Sequence, residues 1–464
     1  MYPCGAQVTA DETDSITNGE EAASSPARGP VVERIGVVQI FPRSLEGPPR
    51  AWPVAGTLKI GRRSECAIHL DGDRVSRQHA LVSVATDSSL RIVDLSSRHG
   101  TFVNGVRSGD ALASPGSVVR CGDSLLLVVR DVGAYSITHR LTREYLGTPR
   151  DVWGGPALFR VWQRATYAAE LQDPVLLLGE SGSGKEAVAR LIHATRSPRG
   201  PFVAINLAAI QANLFESELF GHVRGAFTGA GRSRLGAFRE AAGGVLFLDE
   251  VGDLAPDLQV KLLRAIEEKR VRPIGSSQDF PCDARVVSAT SRDLSEAAHF
   301  RSDLRYRLSG IVIEVPALRT RPDDVLLLAL AALRESAPGT ELSVEAAESL
   351  SLAAWPGNVR ELQNVLVQAT MELRQSGAKT LEREHFAFNS AAQLTARPGD
   401  PLTLTPDSVR AAMARSHGNA SRAAKVLGVS RATLYNFCGR QGLALAAVRA
   451  QLLSEHDPRD AEAG

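Results

Sequence analysis

Between residue 34 and about residue 130, short alternating or apolar runs recur between turn-forming residues: Gly36 to Ile40, Leu58 to Ile60, Ala80 to Val84, Leu90 to Leu95, Thr101 to Val103 and Ser124 to Val129. Runs of this length and spacing predict an all-β sandwich over 34–132. After a connector over 133–150, apolar β runs alternate with helical stretches, as in Val175-Leu176-Leu177-Leu178 followed by a helix from Glu186. That alternation predicts a parallel α/β sheet, reaching to about residue 317 of a domain spanning 151–390. A mainly helical stretch completes this domain from about 318. A polar break over 391–403 then leads to a short all-α end domain over 404–447. The flanks differ in composition. Residues 1–33 are acidic and rich in small residues, too poor in apolar surface to order themselves, and 448–464 read as a second tail.

The length of 464 residues fits this count, since domains of about 150 residues give roughly three. The longest apolar stretch, Val325 to Leu333, is too short to span a bilayer, and the first thirty residues lack a basic start followed by an apolar run. Neither membrane nor export is indicated. Five scattered cysteines without CxxC spacing read as reduced thiols in a cytoplasm. The net charge of +1 hides an asymmetry: Ser408 to Ser454 holds no Asp or Glu but includes Arg410, Arg415, Arg422, Lys425, Arg431, Arg440 and Arg449. A polyanion is the expected partner there.

The strongest chemical signal is Gly179-Glu180-Ser181-Gly182-Ser183-Gly184-Lys185. It follows an apolar strand and opens a helix, so backbone N–H groups face phosphates while Lys185 reaches their outer charge. Downstream, Gly244-Val245-Leu246-Phe247-Leu248-Asp249-Glu250 ends a buried strand on two acids, and Glu250 is the candidate for polarising an attacking water. Between these motifs lies Gly225-Ala226-Phe227-Thr228-Gly229-Ala230. Its residues other than Phe227 are too small to form a core, so Phe227 reads as a contact tip offered to another molecule.

This order of motifs resembles the central AAA+ ATPase of sigma-54-dependent bacterial transcription activators. The resemblance implies ATP as cofactor, with Gly179 to Lys185, Glu186, Thr290 and Arg360 around the nucleotide. Because Glu186 stands where phosphate loops usually carry Ser or Thr, Mg²⁺ rests on Asp249. Arg301 and Arg307, within Phe300 to Leu308, match arginine fingers that reach a neighbouring subunit's γ-phosphate, with Arg305 in a slot that is commonly aromatic. Asn206 matches the residue that holds the catalytic glutamate until the loop engages. Thr290 falls on the sensor strand, where Ser291 replaces the usual Asn. Trp355 to Leu362 resembles the lid's second sensor, with Asn358 as a helix cap and Arg360 aimed at phosphate.

The sandwich resembles forkhead-associated domains, which bind phosphothreonine. Gly61-Arg62, Ser76-Arg77-Gln78-His79 and Asp94 to Gly105 fall in the family's order. Arg62, Ser76 and Arg77 are the phosphate ligands this implies, with Arg98 and His99 beside them in slots usually held by a small hydroxyl residue and Asn; His79 and Asn104 serve as scaffold. At the other end, Gly418 to Tyr435 resembles a Fis-type helix-turn-helix. Ser430 would cap its second helix, and Arg431, Thr433 and Asn436 would lie where base edges are read.

Together these resemblances imply a cytoplasmic transcription activator. It would be tethered as dimers to double-stranded DNA at an upstream activator site, assemble up to a hexameric ring, be controlled by a phosphothreonine protein partner, and act on sigma-54 RNA polymerase. Two other classes share part of the pattern: an AAA+ ATPase that remodels a different protein, and a non-enzymatic phosphopeptide adaptor.

Overall fold

The computed structural model describes residues 34–386, apart from 86–88, 137–138, 212–213, 229 and 295–298. The terminal tails, the break after 390, the end domain with Ser430, Arg431, Thr433 and Asn436, and Gly229 of the hexapeptide lie outside the described residues.

The first unit is a sandwich of two sheets. One has six strands in the order Ala51–Pro53, Gly36–Phe41, Ser124–Val129, Val118–Cys121, Thr101–Val103, Val106–Arg107; the other has five, Ile68–His69, Leu58–Gly61, Ala80–Val84, Leu90–Asp94, Asp110–Ala113. The period of two decides where each side chain goes. Val37, Val119, Leu126 and Val128 enter the core between the sheets, whereas Val38, Ile40, Val118, Leu125, Leu127 and Val129 point the other way into a second core shared with the helices after residue 318. Both faces of these strands are covered, which is why their sequences read as continuous apolar runs.

The second unit is a five-stranded parallel sheet in the order Phe202–Asn206, Val245–Asp249, Arg285–Thr290, Val175–Leu178, Ile311–Glu314. Alternate residues again serve different faces. Val175, Leu177, Val245 and Phe247 pack on one side, and Leu176, Leu246 and Leu248 on the other. The carboxyl ends of four strands therefore bring Leu178, Asn206, Asp249 and Thr290 to one edge, where open α/β sheets bind ligands.

Three helices, Pro322–Ser336, Val344–Leu352 and Asn358–Ser376, form a lid whose apolar faces meet the outer face of the six-stranded sheet. Ion pairs line that seam. Arg120 donates to Glu348 at 2.9 Å, and Arg74 lies 2.9 Å from Glu345. The stretch 133–150, read from sequence as a plain connector, is itself built: His139–Leu141 pairs antiparallel with Val152–Gly154 around the helix Arg143–Leu146.

Candidate functional site

The strand Val175–Leu178 ends in the phosphate loop, which hands over to the helix Lys185–Arg196 at Gly184. Gly182, at φ +73°, has no room for a side chain, since a Cβ there would lie 2.4 Å from the Gly357 carbonyl oxygen. Lys185 is buried, and its Nζ donates to the carbonyls of Gly179 at 2.7 Å and Glu180 at 3.2 Å, lying 3.8 Å from Glu250. The Glu186 carboxylate is taken up by Arg190 one turn along the helix. From the lid, Arg319 forms a two-pronged ion pair with Glu180, and Arg360 donates to the Ser181 hydroxyl at 3.3 Å. Asn358 is fully buried and bridges three groups: it accepts from the Leu318 N–H and donates to Glu180 and to the Ser181 carbonyl. It does not cap its helix as the sequence suggested; Gly357 holds the cap position and gives its N–H to Glu361.

Asp249 and Glu250 stand at the end of their strand beside this loop. Burial, then the neighbouring Glu250 charge, raise the Asp249 carboxyl above the usual carboxylate range. A desolvated carboxylate of this kind fits a divalent cation that also takes phosphate oxygens, so the donor set suits Mg²⁺. Glu250 sits in the left-handed region at φ +54°. Its Oε2 accepts from the Ser291 N–H at 3.1 Å and from the Ser291 hydroxyl at 2.9 Å. The sequence had assigned the holding of Glu250 to Asn206. In the structure the Asn206 side-chain oxygen caps the Ala208 N–H at 3.0 Å, and the hydrogen bonds that hold the Glu250 carboxylate among the described residues come from Ser291. Thr290 is buried with its hydroxyl accepting from the Arg292 N–H, so it meets the phosphate loop through its carbonyl, which accepts from the Gly179 N–H.

The two candidate finger arginines differ. Arg301 precedes the helix Ser302–Leu308, anchored by its N–H on Gln259 while its guanidinium pairs with Asp303. Arg307 is exposed and has no ion-pair partner among the described residues. Arg305 lines the pocket that also contains Gly179, Thr290 and Ser291.

The hexapeptide loop is folded back on its own base. Gly225 donates to the Ala230 carbonyl, and Ala230 to that of Phe227. The Phe227 ring, 38% exposed, stands edge-on to His222 with centroids 5.0 Å apart. His222 is fixed in turn by Ser217 and the Arg232 carbonyl. Nothing in the motif's own spelling announced this rest; the signal was a histidine three residues upstream.

On the sandwich, three loops converge. Arg62, Ser76, Arg77, Arg98 and His99 are all solvent-accessible, with Arg62 3.5 Å from Asp73. Ser76 Oγ accepts from the Arg98 N–H at 3.0 Å, leaving its proton to donate outward. His79 is buried and links the loops, taking the Ser76 N–H on Nδ1 and meeting the Gly100 carbonyl through Nε2; burial lowers its pKa. Asn104 accepts from Val118 N–H at 2.9 Å, a scaffold position as expected.

A phosphate loop followed by a strand ending in Asp-Glu, on this sheet order and under a three-helix lid, defines a nucleotide-binding ATPase of the AAA+ class. The model of the sigma-54 interaction domain matches residues 154–314, that of the FHA domain 58–122, that of the AAA+ ATPase lid domain 319–397, and that of the Fis-family bacterial regulatory proteins 409–436. The chain is 43% identical over 298 residues to the transcriptional regulatory protein ZraR of Klebsiella oxytoca, covering 61% of this chain and 67% of that one. It is 40% identical over 302 residues to the alginate biosynthesis regulator AlgB of Pseudomonas aeruginosa, covering 62% and 66%. A solved structure of NtrX from Brucella abortus in complex with ADP is 28% identical over 63% of this chain and 69% of its own, with a TM-score of 0.48. The chain belongs to the sigma-54-dependent bacterial transcription activators, and carries an FHA domain ahead of the ATPase. Among the described residues, no helix is long and apolar enough to cross a membrane.

Proposed function

We propose that this activator converts ATP turnover into movement of the hexapeptide loop, which remodels sigma-54 RNA polymerase from closed to open complex when the sandwich recognises a phosphothreonine. The observation that carries the reading is the loop itself: Phe227 is poised on His222 at the surface, on a segment joined directly to the ATPase core.

In this reading the N–H groups of Gly179 to Lys185 bind the phosphates, and Lys185 neutralises their outer charge. Asp249 would hold Mg²⁺, which supplies charge neutralisation at the phosphates. Glu250, released from Ser291, takes a proton from the attacking water at Oε2. Arg307 enters a neighbouring copy's site in a ring, where such a finger is worth on the order of 10³ to 10⁵ in rate. Arg431, Thr433 and Asn436, with Ser430 capping their helix, would read upstream DNA in the major groove as a dimer.

Control by phosphothreonine is supported by the placement of one loop. The segment between Ile68–His69 and Ala80–Val84 carries Ser76 and Arg77 to the phosphate cradle and Arg74 to Glu345 of the lid. A ligand on one side of that segment and the ATPase on the other share a short, hydrogen-bonded piece of backbone.

The test uses Phe227→Ala and Thr228→Ala in the full chain. ATP hydrolysis should remain measurable while open-complex formation on a sigma-54 promoter disappears. Transcription persisting at the wild-type level would remove the loop from the coupling.

A further inference from the structure

Two buried charges at the start of the lid have no place in the roles above. Arg321 is 1% exposed and Asp324 is fully buried, although withdrawing ions from water costs several kcal/mol each unless their hydrogen bonds are met. The guanidinium divides its donors. Nη1 goes to Asp324 at 2.9 Å, and Nη2 goes to the carbonyl of Ser183, in the phosphate loop, at 2.8 Å. The other Asp324 oxygen accepts from the Gly155 N–H, ahead of the α/β core.

Ser183 is the last of three successive loop carbonyls that the lid takes. Asn358 donates to Ser181 at 3.0 Å, the Val359 N–H donates to Gly182 at 3.0 Å, and Arg321 donates to Ser183. A trans peptide unit points its C=O and its N–H in opposite directions. Gripping the Ser183 carbonyl from the lid side therefore turns the Gly184 N–H away from the lid. Gly184 is at φ +107°, and its N–H makes no hydrogen bond to protein among the described residues.

We propose that Arg321 is a positioning residue for nucleotide binding: by holding the Ser183 carbonyl it fixes the peptide plane that offers the Gly184 N–H to a bound phosphate, with Asp324 and Gly155 locking the guanidinium. Arg321 acts at one remove from the nucleotide. Its effect passes through one backbone unit. The inference rests on the nucleotide-binding role of the loop and is independent of polymerase remodelling and of phosphothreonine control.

Arginine serves here because its planar fork reaches two acceptors that lie apart, whereas lysine carries its donors on one atom. Arg321→Lys in the full chain should keep the charge beside Asp324, and with it the fold, but surrender Ser183. Titration with a fluorescent ATP analogue and steady-state ATPase assays should then show Kd and KM for the nucleotide raised at least about tenfold, the loss expected for one bond from a charged donor. The kcat at saturating ATP should stay within about threefold of wild type. The double variant Arg321→Met/Asp324→Asn removes both charges while the amide oxygen can still accept from the Gly155 N–H, and should show the same loss of affinity at a near-normal melting temperature. It carries the test should Arg321→Lys not fold. Wild-type Kd and KM in a folded variant would overturn the proposal, as would a fall in kcat alone.

Discussion

Asp323, next along from this pair, shows how one buried carboxyl sets a pH dependence. It is buried against Asp324, with Arg43 and the Tyr135 hydroxyl facing it from the sandwich side. Burial, then the Asp324 charge, push its pKa from 3.8 up to about 7, with Arg43 and Tyr135 pulling part way back. A group whose pKa is raised on folding holds its proton more tightly in the native state. Its contribution to stability is full below the unfolded value and is lost as pH rises through the native one. Asp323→Asn, neutral at every pH, should escape that loss. Thermal melts at pH 6 and pH 8.5 should show a steeper fall for wild type than for the variant, and parallel falls would mean that Asp323 does not titrate there. At this scale the sequence was legible in chemistry but not in reach. Lys185, Asp249 and Glu250 were identifiable because a strand, a glycine loop and a helix start fix their surroundings locally. The partner of Glu250 was not, because Ser291 follows a different strand, Arg285–Thr290, and only the fold brings the two strand ends together.

Among elements, the strand Val118–Cys121 was not among the runs read in the sequence, and for a physical reason. Its Arg120 is buried with its guanidinium 3.7 Å over the Phe102 ring and its Nε on Glu348 of the lid. A partner 228 residues away leaves no trace in local periodicity. Burial raises the Glu348 carboxyl, with Arg120 as the leading opposing influence, so the two charges depend on each other. Arg120→Met should strand Glu348 and destabilise the seam by about 3 to 5 kcal/mol, whereas Arg120→Met/Glu348→Leu should recover most of it. Urea unfolding of both variants checks this; equal stability of the single variant and wild type would make the pair energetically silent. The longer strands, Ala80–Val84 and Ser124–Val129, were legible because apolar runs of five or six residues bounded by turn formers have few other solutions. Two-residue strands such as Ile68–His69 exist only through their neighbours.

At the scale of the whole molecule, the proposed arginine finger is a matter of one copy acting on another. Arg307 is exposed without an ion-pair partner among the described residues, which leaves its guanidinium accessible to an anion on another copy. Full-length Lys185→Ala and Arg307→Ala proteins should each be inactive, yet regain part of the ATPase rate when mixed, because a Lys185→Ala subunit brings an intact finger to its neighbour's intact phosphate loop. Zero turnover at every mixing ratio would place Arg307 outside a shared site. Domain order and class were readable from the chain because each domain's pattern is local. The docking of sandwich on lid was not, since it joins segments separated by the entire α/β core.

That separation also has a consequence in time. The apolar face formed by Val38, Ile40, Leu125, Leu127 and Val129 finds its cover only in helices that begin after Leu318. A ribosome adding roughly 5 to 20 residues per second needs roughly 10 to 40 s to travel from one to the other. Throughout that interval the newborn sandwich can close its inner core but must keep a sticky outer sheet away from its neighbours on the same message. The order of translation thus leaves this apolar face without its cover until the helices after Leu318 have been made.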